Sequence, residues 1–224
     1  MDVLDREMYA EAEAARLLKL PQGTLHYWLE GGQRATRTYL PVIRVEPTGS
    51  RVVTWGEFVE AALLRQYRRK HKVPMAELRA VIERLRERLG VPYPLAHSKP
   101  FVGPGRRLLL AEQEAAHLPG DFWLVAIADG QPTLTAPSET FFERVEWDQD
   151  LALGWRPAAD NDSPVRMRPD VRFGLPAVSG IRTEVIWEHL EAGEAFEDVA
   201  GEFGLSLNDV RWAHAFETSL PRVA

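Results

Sequence analysis

The chain has 224 residues, a formal net charge of -6 and no cysteine. The missing cysteine excludes disulfides, thiolate nucleophiles and thiolate metal ligands, and the sequence has neither a run of about 18 apolar residues for a membrane span nor a secretory leader. We therefore expect a cytoplasmic protein with no membrane partner. The length of the chain predicts at least two domains.

The charge is unevenly distributed along the chain. Residues 1–98 contain 16 Lys and Arg against 12 Asp and Glu, whereas residues 99–224 contain 11 against 21. One basic run has five positive charges and no acid, at Arg65, Arg68, Arg69, Lys70 and Lys72. Such a run attracts phosphate, although by itself it is also typical of a solvated helix face.

Two short helices are predicted near the N-terminus. Residues 9–18 follow the helical period, and Pro21 opens a second helix because its fixed φ suits a first turn. The apolar positions that should bury this second helix are Leu25, Trp28 and Leu29. The positions left on its outer side are Gln22, Thr24, His26 and Tyr27. This arrangement is typical of a recognition helix in the DNA major groove.

A β-hairpin and two further helices are predicted next. Residues 39–45 and 51–53 have the composition of strands around a turn at 46–50. Thr54 and Glu57 fit a capping box, which predicts a helix from Trp55. Another helix is predicted from Pro74 to its stop at Gly90.

This order of elements resembles the MerR-like winged helix-turn-helix over roughly residues 8–90. The matching residues are Tyr9, Ala15, Leu17, Leu18, Leu20, Thr24, Leu25, Tyr27, Arg51, Thr54 and Phe58. The resemblance implies a recognition helix at 21–29 and phosphate contacts from the wing or loop by Arg34, Arg37, Arg44 and Arg51. The charge of the basic run adds Arg68 and Arg69 as candidate DNA contacts. The loop at 31–40 is longer than is typical of that family, and the metal-sensing cysteines of some members are missing. A helix-turn-helix can also serve packing alone, and His26 can be an ordinary surface histidine.

The middle of the chain is predicted to form a small antiparallel sheet. Short apolar runs at 101–110, 122–128 and 133–135 are interrupted by Gly-Pro-Gly and Asp-Gly. Residues 103–107 lack the Lys-Ser/Thr ending of a nucleotide-binding loop, so we interpret them as a turn. The polar stretch 154–164 predicts a linker and a domain boundary.

Residues 165–182 are interpreted as two short strands, and three helices are predicted after them. Gly193 ends the first helix and Ser206 caps the third, while Gly204 and Leu205 join the second and third in helix-turn-helix form. Residues 151–224 contain 7 Lys and Arg against 12 Asp and Glu, which favours dimerisation or protein contact over DNA binding here. Asn208, Arg211 and His214 could still read bases.

The C-terminal segment resembles, over about residues 165–217, a small family often encoded beside PIN-domain ribonuclease toxins. The matching motifs are Pro169-Asp170, the Gly-x-Pro-x-x-x-Gly stretch at 174–180, Ala192-Gly193-Glu194 and Gly204-Leu205-Ser206. Joined to a MerR-like front, this module is similar to VapB-like antitoxins. That resemblance implies a PIN-domain ribonuclease toxin as partner and repression of the protein's own operon by a homodimer on operator DNA.

The sequence thus predicts a non-enzymatic α+β protein, mostly α, without catalytic residues, metal or cofactor. The expected domains are a winged helix-turn-helix at 1–95, a small β-rich connection at 96–155 and a helix-turn-helix-like module at 156–224. The six histidines lack metal-ligand spacing, although a catalytic carboxylate pair stays open as an alternative. Another alternative is a stand-alone MerR-like regulator that senses a small ligand, which a pocket within residues 99–150 would favour.

Overall fold

A computed structural model of the chain describes residues 2–34, 37–68, 75–158 and 160–221. The chain divides into two compact units, one of residues 1–143 with 147–152 and one of residues 144–146 with 153–224. Helices and short antiparallel strand pairs together make the predicted mixed α+β architecture. The three-domain division stays a prediction. Within the described residues, no helix combines the length and apolarity needed to cross a membrane.

The first unit begins with the predicted pair of short helices. Strand β1 (Glu7–Ala10) leads directly into α1 (Glu11–Leu17), and α2 (Gln22–Glu30) follows after a turn in which Lys19 has a φ of 51°. Pro21 lies one residue before α2, as its N-cap with a ψ of 132°, rather than in the first turn as predicted. The prediction of a helix, a tight turn and a second helix is therefore confirmed.

The predicted hairpin of residues 39–45 with 51–53 is wrong. Strand β4 (Val52–Thr54) pairs instead with β1, and the hairpin of this region consists of β2 (Gly32–Arg34) and β3 (Arg37–Tyr39). The backbone N–H groups of Val42 and Ile43 both donate to the carbonyl of Trp28, at 2.8 and 2.9 Å. The end of α2 thus takes up two N–H donors that a hairpin ladder through this segment could have used.

Two longer helices complete the N-terminal half of this unit. Helix α3 (Trp55–Arg68) starts at the predicted capping box, in which Glu57 N donates to Thr54 Oγ1 at 3.3 Å and Thr54 N donates to Glu57 Oε2 at 2.9 Å. Helix α4 (Met75–Leu89) ends at Gly90, whose φ of 68° suits glycine. The aromatic core beside α3 contains Tyr9, Trp55 and Phe58. Pro74 lies outside the described residues.

The middle of the chain is more helical than predicted. Residues 105–115 form helix α5 (Gly105–Ala115) rather than a strand. Strands β5 (Val125–Ala128) and β6 (Gln131–Leu134) form an antiparallel pair, which confirms the strands predicted at 122–128 and 133–135. The leucine run at 108–110 suggested a strand, but the buried positions Leu109, Glu112 and Gln113 follow helical spacing. Helix α6 (Ala136–Arg144) was not predicted.

The second unit contains the three predicted C-terminal helices. Strands β7 (Val145–Asp148) and β8 (Leu151–Trp155) precede the short strands β9 (Ala177–Val178) and β10 (Ile181–Arg182). Helices α7 (Thr183–Glu191), α8 (Phe196–Phe203) and α9 (Leu207–Thr218) follow. Gly193 and Gly204 both have positive φ where α7 and α8 end, and Ser206 makes a capping box with Asp209. Of the two strands predicted over 165–182, the first is reduced to isolated bridges.

Candidate nucleic-acid interface

Helix α2 carries a buried apolar side and an exposed polar side, as its sequence predicts. Leu25, Trp28 and Leu29 are fully buried because they recur at spacings of three and four residues. Gln22 is exposed, and Thr24, His26 and Tyr27 are partly exposed. The four residues predicted from the outer side of this helix are therefore presented on one short element.

The carboxylate of Glu11 binds three of the predicted site residues. Its Oε1 accepts hydrogen bonds from Gln22 Nε2 at 3.3 Å and from Arg51 Nη1 at 2.9 Å, while its Oε2 lies 2.9 Å from His26 Nδ1. Arg51 immediately precedes β4. The buried side chain of Glu11 therefore links the start of β4 to α2. The side chain of Arg51 stays 66% exposed and that of His26 38% exposed.

The hairpin of β2 and β3 begins immediately after α2. Gly31 has a φ of 70°, and a Cβ atom at this position would lie 2.2 Å from the carbonyl oxygen of Tyr39, so only glycine fits. The rings of Tyr27 and Tyr39 lie 6.1 Å apart, which joins the end of α2 to β3. Arg34 and Arg37 form the last backbone pair that the structure describes in this hairpin.

Arg44 lies in the interior, where it cannot serve as the predicted phosphate contact. It is 7% exposed and makes a bidentate contact with Glu57, at 2.7 Å from Nε to Oε1 and 3.2 Å from Nη2 to Oε2. It also binds Glu30, the hydroxyl of Thr48 and the carbonyls at 50 and 52. A buried cation needs this many partners, and the wing position of Arg44 in the sequence gave no sign of them.

The pKa values of Arg44 and Glu30 are both shifted in the direction that favours the charged form. Burial lowers the pKa of Arg44, but the carboxylates of Glu57 and Glu30 raise it above its ordinary value. Burial likewise raises the pKa of Glu30, whereas hydrogen bonds from Gly49 N, Thr48 and Arg44 bring it below its ordinary value. The hydrogen bonds of Arg44 and Glu30 therefore hold the segment between the hairpin and β4 in place.

The basic run at the end of α3 lies mostly beyond what the structure describes. Arg68 is the last residue of α3, whereas Arg69, Lys70 and Lys72 lie outside the described residues. Arg65 is 8% exposed, so it belongs to the interior rather than to a solvated face.

Sequence reasoning missed Glu11 and Tyr39 as parts of this surface. Glu11 is the first residue of α1, where an acid is ordinary because it complements the helix dipole. Its partners lie 11, 15 and 40 residues away, so no local pattern indicates them. Tyr39 was assigned to a strand of the hairpin that does not form.

A cavity of about 480 Å³ lies in the middle of the first unit. It is lined by Gly103, Pro104, Arg106, Arg107, Gln131, Pro132 and Thr133. The turn at 103–104 leads into α5, and Gly105 is required there because a Cβ atom would lie 1.7 Å from the carbonyl of Lys99. Two arginines beside backbone and small polar groups could accept a small anionic molecule.

One group of side chains in the second unit has the composition of a metal site. His189, Glu194 and Glu202 place ligand atoms within 4.8 Å of one another. His189 Nδ1 already pairs with Glu194 Oε1 at 2.8 Å, and all three side chains are at least 30% exposed. The arrangement is fully accounted for as a surface ion pair.

Comparison with known proteins gives relatives that match almost the whole chain. No family model matches. The Mycobacterium tuberculosis protein named "Uncharacterized protein Rv2308" is 33% identical over 222 residues, covering 93% of this chain and 89% of the relative. A second protein of that organism, named "Putative antitoxin VapB45", is 29% identical and covers 92% of each chain. The crystal structure of Rv2018, also from M. tuberculosis, matches with a TM-score of 0.75 and 25% identity, covering 95% of this chain and 99% of that one.

Proposed function

This chain belongs to the same family as Rv2308 of M. tuberculosis, and we propose that it is the antitoxin of a toxin-antitoxin pair, which neutralises a PIN-domain ribonuclease toxin and represses its own operon. The observation that carries the antitoxin role is the end-to-end similarity to the relative named as an antitoxin. Nothing in the proposal requires a catalytic group or a cofactor. Neutralisation is a binding function, in which the toxin is held by a protein surface.

We assign the DNA-binding part of the proposed function to the surface around α2. It combines the polar side of that helix with the adjoining hairpin, and its members are Gln22, Thr24, His26, Tyr27, Arg34, Arg37 and Arg51, with Arg68 and Arg69 as further phosphate contacts. Helix side chains would read base edges, and arginines would contact phosphates. Arg44 is left out because it is buried. The MerR-like character of the whole winged element is part of this proposal.

Substitutions at this surface test DNA binding directly. Tyr27→Ala and Arg51→Ala should each weaken binding to the protein's own promoter by about 1 to 3 kcal/mol, measured by fluorescence anisotropy at fixed salt. The matched control is Arg211→Ala, an exposed arginine on α9 of the acidic second helix-turn-helix, which should leave the affinity unchanged. If both N-terminal variants bind the promoter as tightly as the native protein does, this surface does not contact the DNA.

A second experiment tests the toxin partner. The protein is co-expressed with the product of the adjacent reading frame, and copurification and growth are measured together. Copurification of a small PIN-like protein with rescue of growth supports the antitoxin role. Growth inhibition that persists despite copurification would contradict neutralisation.

Repression by a homodimer makes a geometric prediction about the operator. The protected DNA should contain two related half-sites whose centres are separated by one or two helical turns, about 10 or 21 base pairs. Footprinting measures this spacing, and a protected site without dyad symmetry would contradict the dimer.

The cavity at residues 103–133 favours a second candidate function, a stand-alone regulator that responds to a small ligand. Under this alternative the protein shifts its promoter DNA, no toxin copurifies, and a small anion that binds at Arg106 and Arg107 changes the DNA affinity. Arg107→Gln should abolish the ligand response while leaving DNA binding intact. A response that survives this substitution would place the ligand elsewhere.

A further inference from the structure

One buried carboxylate lies beneath the proposed DNA-reading surface. Glu11 is 2% exposed, and its two oxygens contact Gln22, His26 and Arg51 within 3.3 Å. Burying a carboxylate is unfavourable unless donors surround it, and among the described residues Gln22 and Arg51 donate to Glu11 while His26 Nδ1 lies 2.9 Å from its Oε2. All three are members of the surface proposed to contact DNA.

The partners of Glu11 keep a large part of their surface in solvent. The side chains of Arg51 and His26 are 66% and 38% exposed. Each can therefore contact a DNA group while Glu11 holds it from behind. The carboxylate fixes the direction of these side chains and also offsets the positive charge of Arg51.

The backbone around Glu11 is connected independently of its side chain. Its N–H donates to the carbonyl of Arg51 at 2.8 Å, and β1 pairs with β4 on the adjoining residues. These backbone bonds hold the start of α1 against β4 on their own. The carboxylate contacts are thus an addition to these backbone bonds, and those within the described residues involve side chains of the proposed DNA-binding surface.

We propose that Glu11 is a positioning residue that determines the specificity of DNA recognition, and this inference rests on the DNA-binding part of the proposed function. It orients His26 and Gln22 on α2 toward base edges, which favours the operator over other sequences. It also weakens the attraction of Arg51 to phosphate, which is the same on every sequence. Without the carboxylate, binding becomes stronger on unrelated DNA and less selective.

The main test uses Glu11→Gln, which keeps the shape of the side chain and removes its charge. Binding is measured by anisotropy at one salt concentration on a promoter duplex and on a scrambled duplex of equal length. We expect affinity for the scrambled duplex to rise about three- to tenfold and the ratio of promoter to scrambled affinity to fall about tenfold. The control is Glu46→Gln, which removes an exposed acid of the 45–49 segment and should change both affinities by the same small factor.

A second variant separates charge from orientation and covers the case in which Glu11→Gln fails to fold. Glu11→Asp retains the charge but moves the carboxylate back by one methylene. It should leave the affinity for scrambled DNA unchanged and still lower the preference for the promoter. Variants that fold, as judged by circular dichroism, and keep the native preference would overturn the inference. A purely structural role predicts equal losses on both duplexes, which would also overturn it.

The result also distinguishes this inference from the proposed function. If the native protein shows no preference for its promoter, DNA recognition itself fails and the role of Glu11 fails with it. If the native protein prefers its promoter and Glu11→Gln retains the same ratio of affinities, only the role of Glu11 fails.

Discussion

The two compact units bury different kinds of residue, although each contains two short helices joined by a tight turn. The first unit buries charged side chains, namely Glu11, Arg44, Glu57, Glu60, Arg65 and Glu112. Among the described residues of the second unit, the buried polar side chains are the uncharged Ser163 and Thr183. The first unit thus has an interior that contains charged, hydrogen-bonded side chains, whereas the described interior of the second unit contains no charged side chain.

The charges of the regions that contain these two helix pairs differ in the same sense. Residues 11–54 contain six basic and four acidic residues, whereas residues 183–221 contain one basic and nine acidic residues. A buried carboxylate beside the exposed guanidinium of Arg51 suits contact with phosphate and bases, while an acidic surface repels DNA. Two short helices joined by a turn therefore indicate little about function unless the distribution of their charges is also known.

Replacing Arg44 should have the largest effect on stability. Arg44→Met removes the cation that binds Glu30 and Glu57. These two carboxylates then stay in the interior without the positive charge of the guanidinium. We expect the free energy of unfolding of the first unit to fall by about 3 to 5 kcal/mol, measured by urea denaturation. Arg182→Met in the second unit is the control, because its pair with Glu184 is more than one third exposed and contributes about 0 to 1 kcal/mol. Equal losses in the two variants would contradict the contrast between the interiors.

Glu60 should make the first unit sensitive to pH. It is fully buried on α3, where Leu95 N donates to its Oε1 at 3.0 Å and Arg86 Nη2 lies 3.7 Å from its Oε2. Burial raises the pKa of Glu60 from 4.5 to about 7, and the positive charge of Arg86 only partly offsets this.

The sign of the pH effect follows from the raised pKa. Between about pH 4.5 and 7 the folded state binds more protons at Glu60 than the unfolded state, so stability falls as the pH rises through this range. The contribution is roughly 3 kcal/mol, and thermal unfolding at a series of pH values measures it. Glu60→Gln should flatten this slope in the first unit. A slope that persists in this variant would assign the titration to another group.

Local signals in the sequence predicted the helices outside the middle of the chain, because each signal depends on residues a few positions apart. Thr54 with Glu57, Ser206 as a cap, and Gly90 and Gly193 as helix ends all act within one turn. In the middle of the chain, α5 was predicted as a strand and α6 was missed. The error at the hairpin arose because the strand partner is distant. Val52–Thr54 pairs with β1, more than 40 residues earlier, and the sequence pattern of a hairpin gave no access to that pairing.

The candidate site was only partly predictable for the same reason. The polar side of α2 follows from helical periodicity, so Gln22, Thr24, His26 and Tyr27 could be named in advance. Arg44 and Arg51 look alike in the sequence, since both are arginines beside apolar residues in the predicted wing. Only their surroundings separate them, with Arg44 enclosed by two carboxylates and Arg51 largely in solvent.

The cap of α9 should have a smaller effect, which is confined to the second unit. Ser206 Oγ accepts from Asp209 N at 3.1 Å and satisfies one of the free N–H groups at the start of the helix. Ser206→Ala should lower the stability of the second unit by about 1 kcal/mol in urea denaturation and leave the first unit unchanged. Ser206→Thr retains the hydroxyl and serves as the matched control. A loss shared by both units would contradict the assignment of this cap to one of them.

The smallest effect is expected at Phe173, where the second unit departs from relaxed geometry. Phe173 is 86% exposed with a φ of 54°, and its neighbours Arg172 and Gly174 also have positive φ. Phe173→Gly relieves a left-handed conformation that costs a side-chain-bearing residue about 1 kcal/mol or more, while glycine loses about 0.5 to 1 kcal/mol of backbone entropy on folding. The net gain in unfolding free energy should be about 0.5 kcal/mol.

The control for this last variant is Val171→Gly, two residues earlier, where φ is -118° and no such strain exists. It should lower the stability of the second unit, because glycine adds entropy to the unfolded chain without relieving anything in the folded one. Opposite signs for the two substitutions would attribute the effect to the left-handed turn. Destabilisation by both would mean that the exposed ring of Phe173 is itself stabilising, so the second unit would depend on a surface aromatic contact as the first depends on buried charge.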